Sequence, residues 1–241
     1  MLSDYLSNHF NTLKASSADE ALAIIKGGDV DIVVCDVMLG DGLNGIELCN
    51  SIKENVETDH IRVILASVFS ENIYRSRGYE AGADIYIVKP FDFSILALRI
   101  RNLIYTAWKA REKYKTDIDL TAEAPLPNDV RNDWLKKATS CVLENISDSS
   151  FNGDELCEAM NMSQSTLYRK LKATTGQSTN EFIQNLRLKY AARLLRETSL
   201  TVSEISFEIG FSDSSYFSRA FRKCFGESPR QWREKNRPSS V

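Results

Sequence analysis

Short apolar runs alternate with amphipathic stretches through the first 113 residues of the chain. The apolar runs predict buried parallel strands, and the apolar residues at helical spacing predict the helices between them. In chain order the pattern predicts the end of a helix at 5–10, a strand at 11–15, a helix at 17–26, a strand at 31–36, a helix at 46–54, a strand at 62–66, a helix at 73–81, a strand at 85–88 and a long helix at 93–113. This alternation indicates an α/β fold with a doubly wound parallel sheet.

A polar stretch at residues 116–128 separates this part of the chain from a second part that has helical spacing only. It contains Pro125 and Pro127, and proline restrains both its own backbone and that of the preceding residue, so we predict a semi-extended linker. The pattern therefore divides the chain into an α/β domain at 1–115, the linker, and an all-α domain at 129–241.

The clearest pattern in the second part is a pair of helices joined by a tight turn, within residues 201–232. Thr201 and Glu204 have the spacing of a capping box, and Gly210 supplies the backbone freedom that the turn requires. The second helix is apolar on one side and carries serine and arginine on the other, and Gly226 ends it. Such a pair fits the major groove of DNA, although an amphipathic hairpin with a solvated polar face has the same pattern.

The capping box, the turn and the second helix of this pair have counterparts earlier in the chain. The matched positions, at an offset of 49 before the turn and 50 after it, are Asn152 with Thr201, Glu155 with Glu204, Asn161 with Gly210, Ser165 with Ser215, Arg169 with Arg219 and Lys172 with Arg222. A repeat of this kind favours two helix-turn-helix units over a single solvated hairpin.

Two further helices complete the predicted all-α domain. One begins at the cap Asn128 and reaches about residue 146, and the other is capped by Ser178 and runs over 179–197 between the two hairpins, with Phe182, Leu186, Tyr190 and Leu194 along one side. The second helix is a rod of roughly 27 Å, at about 1.5 Å per residue. A rod of this length can place two recognition helices in successive major grooves, which lie about 34 Å apart.

Charge is distributed unevenly along the chain. Residues 1–127 carry 13 Lys and Arg against 19 Asp and Glu, whereas residues 128–241 carry 17 against 14. The positive excess therefore lies in the part that contains the hairpins, which supports phosphate binding there. The sequence has no apolar run of about 18 residues and no secretion signal, so we expect a cytoplasmic protein without a membrane segment. The five cysteines are widely spaced, mostly within apolar patterns, which favours buried reduced thiols over disulfides or zinc ligands.

Three polar residues follow successive predicted strands of the first part: Asp36, Ser67 and Lys89. The carboxyl ends of parallel strands meet at one edge of the sheet, so these side chains are expected to lie close together. Taken singly, Asp36 could cap a helix and Lys89 could be a solvated surface residue. Together, a carboxylate, a hydroxyl and an ammonium group are what a phosphoryl acceptor site requires, because the charge of the transferred group must be neutralised from several sides.

The stretches DIVVCDVMLGDGLNGIEL, VILASV and ADIYIVKPF resemble the receiver domain of two-component response regulators over roughly residues 1–115. The resemblance implies that Asp36 is the phosphoacceptor, Ser67 the hydroxyl that follows the phosphoryl group, Tyr86 the aromatic residue that turns inward, and Lys89 the counter-charge. It also implies a cis peptide between Lys89 and Pro90, Mg²⁺ as the cofactor with Asp36 as a ligand, a histidine kinase as the phosphoryl donor, and a homodimer through the receiver.

The sequence departs from the receiver pattern in two places. The loop after Asp36 reads MLGDGLNG, which is one residue longer than usual in the family and lacks the usual proline. The first strand of the family, which ends in the acidic pair that helps to hold Mg²⁺, is missing, because Met1 already lies in the first helix. In the family's 2-1-3-4-5 order that strand is central, so the strands at 11–15 and 31–36 are predicted to face a gap. We therefore expect the native polypeptide to extend upstream.

The second part resembles the DNA-binding domain of AraC/XylS-type transcription regulators over about residues 129–236, most closely in IGFSDSSYFSRAFRKCFGESPRQWR. The resemblance implies that the partner is double-stranded DNA. The residues that it places toward the groove are Ser165, Tyr168, Arg169 and Lys172 in the first unit and Ser214, Ser215, Ser218, Arg219 and Arg222 in the second. A structural role in an ion pair that braces the hairpin is the alternative for Arg219.

We interpret the chain as a sequence-specific DNA-binding transcription regulator that is controlled by phosphorylation of its receiver. Two alternatives remain open: the C-terminal part of a hybrid sensor histidine kinase, and a regulator whose receiver is not phosphorylated and serves for dimerisation. A flavodoxin-type carrier requires a phosphate-binding loop after its first strand, and an aspartyl-phosphate phosphatase requires a second aspartate where this chain has Met38. We therefore predict that the chain is not an enzyme.

Overall fold

The computed structural model describes residues 2–28, 30–38, 44–116 and 131–236. The chain folds into two compact units, Met1–Trp108 and Lys109–Val241. Most of the predicted linker lies outside the described residues, as does its neighbour Asn128, the predicted helix cap. None of the helices in the described ranges is long and apolar enough to cross a membrane.

The first unit alternates helices and strands, as the apolar pattern predicts. Its elements in chain order are α1 (Leu2–Ser7), α2 (Ala18–Gly27), β1 (Ile32–Asp36), α3 (Gly45–Glu54), β2 (Arg62–Ser67), α4 (Asn72–Glu80), β3 (Ile85–Val88) and α5 (Phe93–Thr116), the last of which continues into the second unit. The strands form a parallel sheet in the order β1-β2-β3, with Asp36 paired to Ala66 and Ser67 paired to Val88. The carboxyl ends of the strands therefore lie together.

Apolar side chains cover both faces of this sheet. Val63 and Leu65 belong to the core that includes residues of α2 and α3, whereas Ile64 and Ala66 belong to the core that includes residues of α1 and α5. Successive strand residues point to opposite faces, so a strand that is covered on both sides must be apolar at every position. This is why β2 is a continuous apolar run in the sequence.

The predicted strand at 11–15 is wrong, because these residues form no strand in the structure. Strand β1 is the edge of the sheet, and a cavity of about 710 Å³ lies along it, lined by Phe10, Leu13 and Val34 among others. A strand exists only where a neighbouring backbone accepts and donates its hydrogen bonds. The gap expected between 11–15 and 31–36 is present, and it removes the partner that residues 11–15 would need.

The second unit is helical throughout its described residues. Besides the end of α5, its elements are α6 (Arg131–Glu144), α7 (Gly153–Met160), α8 (Gln164–Thr175), α9 (Thr179–Glu197), α10 (Val202–Glu208), α11 (Ser214–Phe225) and α12 (Pro229–Asn236). Helices α7 and α8 form the first predicted hairpin, and α10 and α11 form the second. The all-α class and the helix at 179–197 are confirmed.

Helix α9 is the centre of this unit. Phe182 and Leu186 pack in the core of the first hairpin, whereas Leu188 and Leu195 pack in the core of the second. The prediction of an apolar stripe along one side of this helix is therefore too narrow. Two hairpins dock on different sides of one helix, so the helix is buried over more of its surface than a single amphipathic stripe provides.

The last turns of α5 belong to the core of the second unit. The ring of Tyr114 stacks on Phe182 with 6.2 Å between the centroids and 9° between the planes. The ammonium group of Lys189 lies 4.4 Å from the centroid of the Tyr114 ring and donates to the Tyr114 carbonyl. Arg111 Nε donates to the carbonyl of Ala173 over 2.6 Å. The packed core thus includes residues that precede the linker in sequence.

Helix α12 is the element that the sequence reasoning missed. Ser228 Oγ accepts from the Gln231 N–H over 3.3 Å, while Gln231 Oε1 accepts from the Ser228 N–H over 3.0 Å. Pro229 occupies the first helical position, where a missing N–H costs nothing. The run Ser-Pro-Arg-Gln is therefore a capping signal that was present in the sequence.

The five cysteines carry free thiols, as expected. Cys35, Cys49 and Cys157 are buried and Cys141 is partly buried, whereas Cys224 is exposed. Cys224 is therefore an exception to the expectation of buried thiols. In α11 the core is formed by Phe217 and Phe221, and position 224 lies at the edge of their stripe.

Candidate functional site

The carboxylate of Asp36 and the ammonium group of Lys89 meet at the carboxyl ends of the strands. Asp36 ends β1, Lys89 follows β3, and Lys89 Nζ donates to Asp36 Oδ2. The two side chains are 38% and 35% exposed, so a small phosphoryl donor can reach them from solvent. The sequence predicted this proximity, because both residues follow parallel strands of one sheet.

The backbone around Lys89 directs its side chain toward this edge. The peptide between Lys89 and Pro90 is cis, as the resemblance implies. The backbone N–H of Lys89 donates to the carbonyl of Ser67 over 2.7 Å. The backbone of Lys89 is therefore bound to the end of β2, and from this position its side chain reaches Asp36.

Gly45 allows α3 to begin beside the acidic residue. A Cβ atom at position 45 would lie 2.1 Å from the carbonyl oxygen of Asp36 and 2.9 Å from Cys35 Sγ, so only glycine fits. Asn44 and Glu47 form a capping box at the same helix start. Residues 39–43, which make up most of the loop that departs from the receiver pattern, lie outside the described residues.

Ser67 and Tyr86 are linked through the backbone of Phe69. Ser67 Oγ accepts from the Phe69 N–H over 3.0 Å, and the Tyr86 hydroxyl donates to the Phe69 carbonyl over 3.1 Å. Both side chains are buried, with 1% of Ser67 and 4% of Tyr86 exposed. Tyr86 is thus turned inward, and Gly78 makes room for it because a Cβ there would lie 2.8 Å from the ring. A movement of the Ser67 hydroxyl would therefore disturb the segment that Tyr86 holds.

Asp84 forms a second charged cluster, which the sequence reasoning did not identify. Its carboxylate accepts from Lys53 Nζ over 2.8 Å, from Arg62 Nη1 over 2.6 Å and from the Val63 N–H over 2.8 Å. Burial alone would raise the pKa of Asp84, but the two cations and the N–H outweigh it and leave this pKa lowered. The cluster ties α3 to β2 and to the start of β3, so we assign it a structural role.

The donor set at Asp36 is poor for Mg²⁺. Within the described residues, no group of three His, Cys, Asp or Glu side chains is close enough to hold a metal ion. Asp36 Oδ1 accepts from the Met38 N–H over 3.2 Å, and Oδ2 is bonded to Lys89. Magnesium prefers near-octahedral oxygen coordination, so a single carboxylate leaves most of its shell to water. The described residues do not by themselves form a magnesium site.

The first hairpin presents a polar face on α8. Its start is fixed by the capping box of Asn152 and Glu155, and its turn by Asn161, whose φ of 53° is left-handed. On α8, Ser163 is the N-cap and Gly176 the left-handed C-cap. The side chains predicted to face DNA are all at least partly exposed: Ser165, Tyr168, Arg169 and Lys172.

The second hairpin has the same construction. Thr201 and Glu204 form its capping box, and Gly210 turns the chain with a φ of 76°. Gly226, with a φ of 79°, ends α11. A shallow cleft of about 740 Å³ between the starts of α10 and α11 is lined by Val202, Ser203, Ser214, Ser215, Ser218 and Arg219. Arg222 is exposed one turn further along α11.

Asp213 starts α11, and the sequence reasoning did not single it out. Its carboxylate accepts from the Ser215 N–H over 2.7 Å and from the Tyr216 N–H over 3.3 Å. These two hydrogen bonds lower the pKa of Asp213. The Tyr216 hydroxyl accepts from Gln184 Nε2 over 2.9 Å, which fixes the start of α11 to α9. An aspartate directly before a serine-rich helix is the cap signal that the sequence contained.

Comparison with known proteins assigns both units to families. The family model described as a response regulator receiver domain matches residues 1–101, and the model described as a helix-turn-helix domain matches residues 156–235. The chain is 34% identical over 234 residues to histidine kinase P4 of Formosa agariphila, which covers 97% of this chain and 17% of that protein. It is 36% identical over 123 residues to the HTH-type transcriptional activator RhaR of Salmonella dublin, covering 51% of this chain and 41% of the activator.

The chain is also similar in part to a solved structure. The C-terminal domain of AraT, a response regulator from Geobacillus stearothermophilus, is 29% identical with a TM-score of 0.43, over 47% of this chain and 93% of that one. The chain spans less than half the length of each of the two curated relatives. The chain thus carries a response regulator receiver domain followed by an AraC-type helix-turn-helix DNA-binding domain.

Proposed function

We propose that this chain regulates transcription by binding DNA through α8 and α11, and that phosphorylation of Asp36 controls this binding. The observation that carries the proposal is the contact between Lys89 Nζ and Asp36 Oδ2 at the carboxyl ends of the strands, in a chain that also carries two helix-turn-helix units. Asp36 supplies the nucleophile and Lys89 a counter-charge, two of the groups that phosphoryl transfer uses.

In the phosphorylation step, a carboxylate oxygen of Asp36 attacks the phosphorus atom of a histidine kinase phosphohistidine. The bond from phosphorus to the histidine nitrogen breaks, the nitrogen keeps the electron pair, and an acyl phosphate forms on Asp36. Lys89 Nζ balances the charge that the phosphoryl oxygens bring. The product carries roughly two negative charges on a half-exposed side chain.

The phosphoryl group then attracts the hydroxyl of Ser67. If Ser67 Oγ turns toward the phosphoryl group to donate to it, this movement lengthens the hydrogen bond that Oγ accepts from the Phe69 N–H. The carbonyl of the same residue, Phe69, accepts from the Tyr86 hydroxyl. Burial of Tyr86 means that its ring can move only together with the segment around Phe69. We infer that these two hydrogen bonds transmit the effect of charge at Asp36 to the surface of the receiver.

DNA is bound by the exposed faces of the two recognition helices. Arg169 and Arg219 are suited to guanine, because a guanidinium group bonds two acceptors of that base at once, and Lys172 and Arg222 are suited to phosphates. The serine hydroxyls that line the cleft beside α11 are short enough to allow close approach of the DNA backbone. Helix α9 packs in the cores of both hairpins, and we expect it to hold α8 and α11 at a separation that suits successive major grooves.

Phosphorylation is tested by incubating the protein with acetyl phosphate and Mg²⁺ and measuring its intact mass. The expected result is a mass increase of one phosphoryl group, which is absent in the Asp36→Asn variant. A folded wild-type protein that gains no phosphate would instead support the alternative in which the receiver serves only for dimerisation. Sedimentation velocity on the same samples then reports whether a homodimer forms.

DNA binding is tested by selecting duplexes from a random-sequence library with the wild-type chain. Fluorescence anisotropy then gives the dissociation constant of the selected duplex, before and after treatment with acetyl phosphate. An enriched sequence that is bound more tightly after treatment supports the proposal. Equal affinity for all duplexes would instead indicate that the chain binds DNA phosphates without sequence specificity.

The second candidate is that the chain acts as the C-terminal output part of a hybrid histidine kinase. It is favoured by the match to histidine kinase P4, which spans 97% of this chain. In that case the phosphoryl donor is a kinase domain of the same polypeptide. The intact mass of the natural polypeptide, detected with an antibody against the helix-turn-helix domain, distinguishes a hybrid kinase from a separate regulator.

A further inference from the structure

The guanidinium group of Arg187, in the middle of α9, reaches into the turn that precedes the first hairpin. Its Nη2 donates to the Asp148 carbonyl over 2.5 Å and to the Phe151 carbonyl over 3.3 Å. The two carbonyls belong to the connection between α6 and α7, so Arg187 fixes the entry of the first hairpin to α9.

The turn of the second hairpin packs against the same guanidinium group. A Cβ at Gly210 would lie 3.1 Å from both Cζ and Nη2 of Arg187 and 2.8 Å from the Ile146 carbonyl. Gly210 also has a left-handed φ of 76°, which favours glycine. The turn between α10 and α11 therefore packs against the Arg187 guanidinium group and against the Ile146 carbonyl, which lies just after α6.

The Arg187 guanidinium is held in a partly desolvated position. Burial lowers the pKa of Arg187, and the charge of Asp148 offsets this only in part. The two hydrogen bonds of Nη2 offset part of the cost of burying this cation, so losing them would be costly, whereas its Nε is buried without a hydrogen-bond partner among the described residues. By contrast, Arg193 and Arg196 of the same helix each form an ion pair with Glu197, which is also in α9. These ion pairs therefore do not connect α9 to another segment.

We propose that Arg187 is a positioning residue that sets the distance and rotation between the two recognition helices. It joins three segments that are remote in sequence, namely the entry of the first hairpin, helix α9 and the turn of the second hairpin. The protein therefore selects DNA not only by the bases in each groove but also by the spacing between the two contacted elements. This inference rests on the proposed binding of DNA by both hairpins.

The spacing role is tested with the duplex that the wild-type chain selects from a random library. Two further duplexes carry one base pair inserted or deleted between the two contacted elements, which rotates one element by roughly 34° and shifts it by about 3.4 Å. Dissociation constants on the three duplexes are measured for the wild type, Arg187→Gln, Arg187→Lys and the control Arg196→Gln. Arg196 is an exposed arginine of the same helix, so its replacement makes the same charge change away from the turn contacts.

The wild type and Arg196→Gln are expected to bind the duplex with the parent spacing about tenfold more tightly than the two altered duplexes. This factor is about what one mismatched base pair costs. Arg187→Gln is expected to reduce this preference by about fivefold, and Arg187→Lys, which keeps the charge but not the planar fork, to reduce it by a smaller factor. Simple loss of folded protein lowers affinity for all three duplexes equally and leaves the preference unchanged, so the ratio separates positioning from stability.

An unchanged spacing preference in Arg187→Gln would overturn the positioning role while leaving DNA binding intact. If Arg187→Gln fails to fold, the same comparison is made with Arg187→Lys alone, and an unchanged ratio there has the same meaning. A wild-type chain that selects no duplex would overturn the proposed function itself, and the spacing role would fall with it.

Discussion

Ser67 Oγ accepts a hydrogen bond from the backbone N–H of Phe69, and the Phe69 carbonyl in turn accepts the hydroxyl of Tyr86. This relationship connects a hydroxyl at the candidate phosphoacceptor site to a buried ring. It also means that the resting position of the loop after β2 depends on the residue that is proposed to follow the phosphoryl group.

Ser67→Ala is expected to allow phosphorylation of Asp36 but to reduce its effect on DNA affinity. The variant lacks the hydroxyl that bonds the phosphoryl group, and a hydrogen bond to a charged group contributes about 1.5–3 kcal/mol. The change in dissociation constant on phosphorylation should therefore shrink by roughly tenfold. Ser67→Thr, which keeps a hydroxyl, is the control. A full response in Ser67→Ala would exclude this residue from the switch.

Arg219→Ala is expected to weaken binding to the selected duplex by about 1–3 kcal/mol and to relax specificity at one base, if Arg219 reads a guanine. Lys172→Ala should weaken binding on all sequences and reduce the slope of log affinity against log salt by about 1. Titrations of both variants at several salt concentrations distinguish the two roles. Unchanged affinity in Arg219→Ala would favour the ion-pair alternative for this exposed residue.

Asp84→Asn is expected to destabilise the receiver by about 3 kcal/mol at neutral pH, because it leaves two partly buried cations without their carboxylate. The folded-state pKa of Asp84 is lowered, so its contribution is fully present above the unfolded pKa of about 4 and is lost as pH falls through the folded pKa. Urea unfolding at several pH values should show the variant and the wild type converging in acid. Asp19→Asn, at an exposed position, is the control.

Tyr114 is expected to ionise well above the ordinary pKa of a tyrosine during alkaline titration. Burial raises the pKa of Tyr114 to about 12, although a hydrogen bond with Thr139 lowers it in part. Its contribution to stability is therefore fully present below the unfolded pKa of about 10 and is lost as pH rises through the folded value. Of the nine tyrosines, the late component in the phenolate absorbance should disappear in Tyr114→Phe. An unchanged titration curve would contradict the packing of Tyr114 in the core of the second unit.

Cys35 and Cys49 are expected to resist alkylation in the folded protein at pH 8. Burial raises the pKa of the Cys35 thiol to about 12 and that of Cys49 to about 11, and only the thiolate reacts. Partial burial of the thiol also raises the pKa of Cys224, but this residue is exposed and should be modified first. Peptide mass analysis after brief treatment with iodoacetamide reports the order. Equal modification of Cys35 and Cys224 would indicate that β1 opens readily.

The edge of the sheet shows where local reasoning failed. Residues 11–15 were predicted to form a strand but form none, since strand structure depends on a neighbour that supplies hydrogen bonds. Residues 85–88 are one residue shorter, yet they form β3 because β2 lies beside them. A helix makes its own hydrogen bonds, which is why predicted helices such as 179–197 agree closely with the structure whereas this strand does not.

The sequence by itself determined the elements that depend on local chemistry. Capping boxes at Asn152, Ser178 and Thr201 and glycine at the turn and the helix ends are short-range signals, and the order of apolar runs was enough to indicate a parallel sheet with Asp36 and Lys89 at one edge. Only the tertiary structure decided the contacts between remote segments. The binding of Arg187 to the Asp148 carbonyl beside Gly210, and the packing of Tyr114 on Phe182, join residues whose separation along the chain carries no periodic signal. Such contacts follow from how helices pack around α9, and that packing is set by the shape of the whole core.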